Sequence, residues 1–330
     1  MKKIKICIVY THRKIGDLIW QLPYIKAISD HHKLNIDLIV RKQTQAKNIF
    51  KDLDHINTIF YNEFRKGLNY WTDVFKLFKI FKNNNYEYLY VLDKVNKPAI
   101  AGKLAGIKNI IAPGIGNQKI WITSKKFLKK SDKRLNYSEQ SQKLLKLNEI
   151  KIDNLIPNLI YKSNLSINNK LKKIAFGIDS SEDYKIWYEE YFIQLAKLLY
   201  KEKIFDIIYL ICGPDKQHIS HNIINCSKEK YFIDCSNKDL QGIIETIMQC
   251  SIFIGNNAGP LNLSSALGIK TFGLIANDPA SELIYSRIIP ITPENYIDNK
   301  WNRNREGMKK LTVQRVFNEI MKNLLIEKNY

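Results

Sequence analysis

The feature that most constrains the fold is an alternation of short apolar segments with amphipathic segments. In the first half of the chain, strand-like runs at residues 34–40 and 86–92 flank a stretch at 71–81 whose apolar residues have helical spacing. Strands that are buried on both faces and linked by helices form a parallel sheet with helices on both sides. The alternation therefore predicts an α/β fold built on doubly wound parallel sheets.

The alternation stops near the middle of the chain and then begins again. Residues 148–169 contain Pro157 and scattered Asn and Ser without periodicity, which predicts a linker, and the next strand is predicted at 172–178. We expect two tandem Rossmann-like domains, residues 1–160 and 161–330, the second ending in an amphipathic helix over 312–326. In such a chain the binding site is expected in the cleft between the two domains.

The charge of the chain is uneven. Residues 1–160 carry 30 Lys and Arg against 13 Asp and Glu, whereas residues 161–330 carry 22 against 19. A bias of the genome toward Lys, Ile and Asn would raise the number of lysines equally in both halves of the chain. The asymmetry therefore favours an anionic partner for the first half, such as a phosphorylated lipid, an acidic sugar, a membrane surface or nucleic acid.

Other composition signals indicate a cytoplasmic protein. The first residues alternate like a β-strand and lack a signal-peptide cleavage site, and no apolar run approaches the roughly 20 residues of a membrane span. The five cysteines are odd in number and show no CxxC spacing, so they predict neither a zinc site nor a disulfide framework.

Residues 251–277 read as strand, sharp turn, helix and strand. The turn contains Gly255 and Gly259, Pro260 suits the first turn of a helix, and Gly268 suits its C-terminal end. A glycine-bearing turn into a helix presents free backbone N–H groups to a phosphate. An ordinary strand-to-helix turn has the same pattern, so both interpretations stand on spacing alone.

Three other turns carry polar groups at predicted strand ends. Asp17 follows the first strand, where it is either a helix N-cap or a general base, and the N-cap is favoured from this motif alone. Ser180, Ser181 and Lys185 suit a pyrophosphate, although a solvated loop has the same composition. Asp215 suits either a ribose hydroxyl or a helix N-cap.

A basic segment at residues 119–134 interleaves seven Lys and Arg with Trp121, Phe127 and Leu128. A solvated surface is the usual explanation of such a charge run. Interleaved aromatic residues are equally typical of contact with an anionic or membrane-bound partner.

Taken together, the motifs resemble glycosyltransferase family 9, the ADP-heptose:lipopolysaccharide heptosyltransferases. The resemblance rests on Ile15-Gly16-Asp17 with Pro23, on Ser180-Ser181 with Lys185 and Trp187, on residues 255–260 before Ala266-Leu267-Gly268, and on residues 308–313. It covers essentially the whole chain in order. It implies a GT-B fold, an acceptor-binding N-terminal domain, a nucleotide-sugar-binding C-terminal domain and inverting transfer without a metal or other cofactor.

The resemblance also implies roles for individual residues. Asp17 would be the general base. The residues implied to bind the ADP-heptose donor are Ser180, Ser181, Lys185, Asp215, Asn257, Ala258, Gly259 and Asn262. The acceptor would be an anionic lipid-linked saccharide, Kdo-lipid A or the inner core, at the cytoplasmic face of the inner membrane. The residues expected to contact it are Arg13, Lys14, Lys125 and Lys126.

Two positions depart from the family pattern, which normally has Asp and His where this chain has Asn257 and Asn262. Neither side chain carries the expected charge or imidazole. Sequence drift, another nucleotide sugar or lost activity would each explain the change. No DxD metal motif or nucleic-acid-binding motif is present, and the Gly114 turn lacks the third glycine of a dinucleotide site.

Overall fold

The computed structural model describes residues 4–162, 171–283, 287–298 and 303–326. The chain divides into two compact units, Met1–Tyr161 and Lys162–Tyr330. Residues 148–162 of the predicted linker contain no helix or strand, and its residues 163–169 lie outside the described part of the chain.

Unit 1 is a five-stranded parallel sheet with helices between its strands. Its strands are β1 (Ile6–Val9), β2 (Ile36–Val40), β3 (Ile56–Tyr61), β4 (Tyr88–Val91) and β5 (Asn109–Ile111). They lie in the order β3-β2-β1-β4-β5, and every neighbouring pair is parallel. The helices are α1 (Ile15–Ile19), α2 (Leu22–His32), α3 (Ala46–Ile49), α4 (Tyr70–Asn84), α5 (Asn96–Ala105) and α6 (Tyr137–Leu147).

Local sequence explains where several of these helices begin. The helix predicted after β1 is broken into α1 and α2, and Pro23 lies in the first turn of α2, where its missing N–H costs no helical hydrogen bond. Asn136 caps α6 and forms a capping box with Glu139. The basic segment at 119–134 contains no α-helix and ends in a 3-10 turn at Lys130–Arg134.

Unit 2 is a six-stranded parallel sheet in the order β11-β10-β9-β6-β7-β8. Its strands are β6 (Lys173–Gly177), β7 (Ile207–Ile211), β8 (Phe232–Asp234), β9 (Ile252–Asn256), β10 (Lys270–Leu274) and β11 (Ile288–Ile291). Its helices are α7 (Glu189–Lys201), α8 (Gln217–Ser227), α9 (Leu240–Met248), α10 (Gly259–Ala266), α11 (Glu306–Lys310) and α12 (Val313–Ile326).

Strand β11 was not predicted, because the sequence after β10 reads as an irregular loop rich in Pro and Asn. Pro290 lies inside the strand and has no backbone N–H to donate. The strand forms nevertheless because it is at the edge of the sheet and pairs with β10 alone. The doubly wound α/β architecture is confirmed in both units.

Both sheets reverse their strand order at a central pair, β1 and β4 in unit 1 and β6 and β9 in unit 2. Open α/β sheets bind ligands at this position, beyond the carboxyl ends of the strands. In unit 2 the last paired residues are Gly177 and Gly255. A Cβ atom on Gly255 would lie 2.8 Å from the Cα of Gly177, so only glycine fits there.

Candidate functional site

Asp17 lies in α1, directly after the turn that follows β1. Lys14 is the N-cap residue of α1, so the prediction that Asp17 caps this helix is wrong. Its side chain is 37% exposed, and its Oδ2 lies 3.5 Å from Nδ1 of His12. The carboxylate is therefore accessible beyond the carboxyl end of the central strand, as a general base must be.

His12 is held by aromatic rings on two sides. It stacks on Tyr10 with ring centroids 4.9 Å apart, and it meets the ring of Tyr137 edge-on at 3.9 Å. Burial and the carboxylates of Asp17 and Asp93 raise the pKa of both tyrosines, so their rings stay neutral. The imidazole is thereby fixed beside the Asp17 carboxylate.

A buried carboxylate organises the backbone around this turn. Asp93 follows β4 and accepts hydrogen bonds from the backbone N–H of Thr11 at 2.6 Å and of Val95 at 2.9 Å. Gln118 donates from Nε2 to the carbonyl oxygens of Asp93 and Val95. Asp93 therefore joins the turns after β1 and β4 and has a structural role.

The four basic residues predicted to bind the acceptor lie in two places. Arg13 and Lys14 are exposed in the turn that leads to Asp17. Lys125 and Lys126 are exposed in the loop before α6, and Lys126 is ion-paired with Glu149, just beyond the C-terminal end of that helix. Tyr137, which contacts His12, is the first residue of α6. The 11-residue helix is roughly 16 Å long, so Lys126 is not part of the cluster around Asp17.

In unit 2, the turn after β6 carries the predicted phosphate-binding residues. Ser180 is buried and its Oγ accepts from the backbone N–H of Glu182 at 3.4 Å, whereas Ser181 is exposed. The turn is fixed to the sheet because Asn256, the last residue of β9, accepts from the backbone N–H of Trp187 at 3.0 Å. The end of β9 therefore fixes the C-terminal end of the segment that carries Ser180 and Ser181.

Lys185 is held between two carboxylates. Its Nζ lies 2.8 Å from Oε2 of Glu182 and 2.8 Å from Oδ2 of Asp278. Burial alone would lower the pKa of Lys185, but hydrogen bonds to the two carboxylates outweigh it and raise the pKa above its ordinary value. The lysine is therefore a fixed cation at neutral pH.

Asp278 is the main residue that the sequence did not identify. It follows β10 and is buried, and its Oδ2 also accepts from Nδ2 of Asn257 at 2.8 Å. Its Oδ1 is buried without a hydrogen-bond partner among the described residues. The negative charge that Asn257 lacks is therefore present next to Asn257, supplied by another strand end.

The N-terminal end of α10 adjoins this cluster. Ala258 is its N-cap residue and no side chain caps the helix, so its first N–H groups lack the usual side-chain acceptor. Gly259 and Pro260 form the first turn. Asn262, one turn later, is buried and donates its amide to the carbonyl oxygen of Ala258 at 3.0 Å. An anion fits such a helix end.

Asp215 lies farther along the same edge of the sheet, in a 3-10 turn after β7. Lys216 is the N-cap residue of α8, so the prediction that Asp215 caps a helix is wrong. Asp215 is exposed and lies next to Gly213, whose N–H donates to the Asp179 carboxylate at 2.7 Å. Its carboxylate is free to accept from hydroxyl groups of a ligand.

The described residues were also compared with the requirements of a metal site and of a membrane-spanning helix. Within the described ranges, no group of three or more His, Cys, Asp and Glu side chains is placed to hold a metal ion. No helix in the same ranges combines the length and apolar character needed to cross a bilayer.

The sequence contains one weak indication of the role of Asp278, namely its position shortly after a strand. Strands β9 and β10 are neighbours and parallel, so the residues that follow them meet at one edge of the sheet. Asn257 follows β9 directly, Asp278 lies four residues after the end of β10, and their side chains are hydrogen-bonded at 2.8 Å. Predicting their contact requires the strand order, which the sequence alone leaves open.

The sequence and the fold are both similar to those of known proteins. The profile of glycosyltransferase family 9 (heptosyltransferase) matches residues 74–283, more than half of the chain. The fold is similar to E. coli ADP-heptose lps heptosyltransferase II, with a TM-score of 0.76 at 16% identity, covering 98% of this chain and 100% of that one. It is also similar to E. coli heptosyltransferase WaaC with ADP-2-deoxy-2-fluoro heptose. That comparison has a TM-score of 0.75 at 15% identity and covers 97% of this chain and 100% of that one.

A family 9 glycosyltransferase from Veillonella parvula has a TM-score of 0.75 at 14% identity and covers 99% of both chains. A comparison with curated protein sequences finds no match. The structural similarities confirm the predicted GT-B fold.

Proposed function

Because the chain belongs to glycosyltransferase family 9 and is a glycosyltransferase, we propose that it transfers heptose from ADP-heptose to a lipopolysaccharide inner-core acceptor. The acceptor is Kdo-lipid A or a phosphorylated inner core at the cytoplasmic face of the inner membrane. The observation that carries the donor assignment is Lys185, held by Asp278 beside the uncapped N-terminal end of α10.

The reaction we propose is a direct displacement with inversion and without a metal ion. Asp17 accepts the proton of the acceptor hydroxyl, whose oxygen attacks the anomeric carbon of the donor sugar. The bond between that carbon and the diphosphate oxygen breaks, and its electron pair leaves with ADP. Since Asp17 is exposed and caps no helix, its carboxylate is available to take the proton.

The unit 2 residues stabilise the charge that develops on the departing ADP. Lys185, Ser180, Ser181 and the N–H groups at the start of α10 supply hydrogen-bond donors to the diphosphate. Once the sugar donor is bound, they need no further reorganisation during the chemical step, which lowers the barrier. Asp215 accepts from ribose hydroxyls. In unit 1, Arg13 and Lys14 attract the anionic acceptor to Asp17.

Lys185 must exchange one carboxylate for the diphosphate when the donor binds. Glu182 is the partner that gives way, because its side chain is 35% exposed and hydration replaces its lost contact. Asp278 is only 3% exposed and stays, which fixes the position of the ammonium group. Asp278 and Asn257 together replace the Asp that other members of the family carry at position 257.

The test of this proposal is Asp17→Asn with ADP-heptose and Kdo-lipid A as substrates. The amide cannot accept the proton, so we expect turnover to fall by about 10³-fold. ADP affinity, measured by calorimetry, should stay within about twofold because the donor contacts lie in unit 2. Asp30→Asn, which removes an exposed carboxylate from α2 in the same unit, is the matched control and should keep wild-type turnover. Wild-type turnover in Asp17→Asn would show that another group is the base.

The alternative proposal is that the donor is a nucleotide sugar other than ADP-heptose, which Asn257 and Asn262 favour. Both are amides where charged or imidazole groups are usual in the family, and Asn262 bonds its own helix. A thermal-shift panel of ADP, UDP, GDP and CMP separates the two proposals. Preferential stabilisation by ADP supports ADP-heptose, and preferential stabilisation by UDP would overturn it.

A further inference from the structure

Helix α4 and the turn before it expose large apolar side chains in unit 1. Leu68 is fully exposed, Trp71 is 63% exposed and Phe75 is 55% exposed. Their spacing of three and four residues places them on one side of the helix. Single exposed apolar residues are common, but three in one row are typical of a docking surface.

Lysines surround these apolar residues. Together with the three apolar residues they form what we call the α4 face: Leu68, Trp71 and Phe75, with Lys66, Lys76, Lys79 and Lys82. All four lysines are exposed, and none is in an ion pair within the described residues. Lys79 lies over the ring of Phe75, with Nζ 4.6 Å from the centroid. The face is therefore apolar at its centre and positive around it.

The opposite side of the helix is anchored. Val74, Leu77 and Phe81 are buried in the core of unit 1. Asp73, the one acidic residue of α4, is buried and ion-paired to Arg65 at 2.8 Å and to Lys97 at 3.2 Å. The first turn of α4 is thereby fixed, with Trp71 on its outward side, where its ring contacts that of the neighbouring Tyr70 edge-on.

The α4 face begins at the same edge of the sheet as Asp17. Helix α4 follows β3, and parallel strands end at one edge, so its first turn lies on the side where β1 ends. Arg41 connects the two places, because its guanidinium donates to the carbonyl oxygen of Thr11 and to those of Glu63 and Phe64. A lipid surface against the α4 face would be at the same end of unit 1 as Asp17.

We propose that the α4 face binds an anionic lipid bilayer, with Leu68, Trp71 and Phe75 entering the interfacial region and the four lysines contacting lipid phosphates. Tryptophan and phenylalanine are suited to the headgroup boundary, and exposed lysines are attracted by the negative surface potential. The lysines' alkyl stems extend the apolar area while their charges stay in water. This surface deepens the proposed function, since it brings a lipid-linked acceptor to Asp17.

Charge decides between a bilayer and other occupants. A second copy of the chain would bring the same four unpaired lysines together, and no acid on α4 is available to neutralise them. A nucleic acid would be attracted by the lysines but would leave Leu68 and Phe75 in water. An anionic bilayer satisfies both parts of the face.

The test is flotation of the full-length protein with phosphatidylcholine vesicles that contain phosphatidylglycerol. We expect wild-type binding that weakens in high salt and with phosphatidylcholine alone. Lys76→Glu/Lys79→Glu should lower the partition coefficient by about 30-fold or more. Trp71→Ser/Phe75→Ser should lower it by about tenfold or more and leave the residual binding strongly salt-dependent.

The matched control is Lys322→Glu/Leu325→Ser, which makes similar changes on the exposed side of α12. It should float as the wild type does. Circular dichroism and ADP affinity confirm that each variant is folded. Equal vesicle binding by wild type and both α4 variants would overturn the proposal. So would a wild-type dimer that the α4 variants dissociate, or wild-type binding to duplex DNA but not to vesicles.

An activity assay separates this inference from the proposed function. With acceptor embedded in vesicles, the α4 variants should lose rate, and with acceptor in detergent micelles they should match the wild type. If the wild type transfers heptose in neither format, the proposed function fails, and the flotation result still decides the lipid surface. If the α4 variants match the wild type on vesicles, the surface is not used for acceptor access.

Discussion

The two units have the same strand order around their central strands, but they use the space at the strand ends differently. In unit 1 the last paired residues of β1 and β4 are Val9 and Val91. In unit 2 the equivalent pair on β6 and β9 is Gly177 and Gly255. One topology therefore places two side chains at the strand junction in unit 1 and none in unit 2, where the backbones of Gly177 and Gly255 pack closely and the Phe253 ring lies against Gly177.

Each unit also has a buried carboxylate in a turn that follows one of its strands, Asp93 in unit 1 and Asp278 in unit 2, and the partners of the two differ. Asp93 accepts from the backbone N–H groups of Thr11 and Val95, which belong to the fold. Asp278 accepts from the side chains of Lys185 and Asn257. The same buried group thus fixes the backbone in unit 1 and orients a cation in unit 2. The partners of each carboxylate therefore determine its role.

Gly255→Ala tests whether the close packing of the two backbones requires glycine, and it should have the largest effect on stability. The new Cβ would lie 2.8 Å from the Gly177 backbone, which cannot move without separating two paired strands. We expect unfolding of unit 2 to become easier by about 2–4 kcal/mol. Urea unfolding followed by circular dichroism measures the change.

Gly242→Ala is the control for that variant. It lies in the first turn of α9, where the nearest atoms to a new Cβ would be Oδ1 of Asp239 at 3.2 Å and Cβ of Lys238 at 3.4 Å. The free energy of unfolding should change by less than about 1 kcal/mol. If Gly255→Ala is as stable as this control, the fold of unit 2 does not require the glycine pair. The proposed difference from the Val9 and Val91 pair of unit 1 would then be contradicted.

Asp278→Asn tests whether the buried carboxylate of unit 2 orients Lys185. The amide leaves the half-buried ammonium with Glu182 alone, so we expect kcat/KM to fall by about 10–100-fold. Asp183→Asn removes the same charge from the Lys185 turn, but its side chain is 77% exposed and paired with Lys216. That control should keep nearly full activity. Equal rates in the two variants would assign Asp278 a structural role like that of Asp93.

Glu182→Gln should have the smallest effect, in the opposite direction. Glu182 competes with the diphosphate for Lys185, so its removal should tighten ADP binding by about two- to fivefold. Calorimetry with ADP measures the change, and the difference from wild type should shrink in high salt. Weaker ADP binding in Glu182→Gln would mean that this carboxylate helps to form the donor site.

The fold was largely predictable, because hydrophobic periodicity and turn residues are local signals. The bounds of α6 and the break at Pro23 follow from such signals. Strand β11 was missed because Pro290 argues against a strand unless the residue is known to lie at a sheet edge. Whether a strand lies at the edge depends on the order of all strands in the sheet, so a short stretch of sequence cannot predict it.

The site was predictable in part for the same reason. Lys185 and the turn before α10 are visible as motifs, and their roles stay proposals. The contact between Asn257 and Asp278 spans 21 residues and depends on β9 and β10 being neighbours. In the sequence, Asn257 replaces the charged Asp of the family pattern. In the folded chain, the Asp278 carboxylate lies against Asn257 and supplies a negative charge at the same place. Only the strand order connects the two residues.

The buried Trp187 also sets when unit 2 can be completed during synthesis. Its indole Nε1–H donates to the carbonyl oxygen of Leu311 at 2.8 Å, across 124 residues of sequence. The turn that carries Ser180 and Lys185 leads directly into this ring. At about 5–20 residues per second, a ribosome needs several seconds to progress from one partner to the other. A nascent chain can therefore make this hydrogen bond only after Leu311 has emerged, so the turn that we propose to bind the diphosphate gains this support late in synthesis.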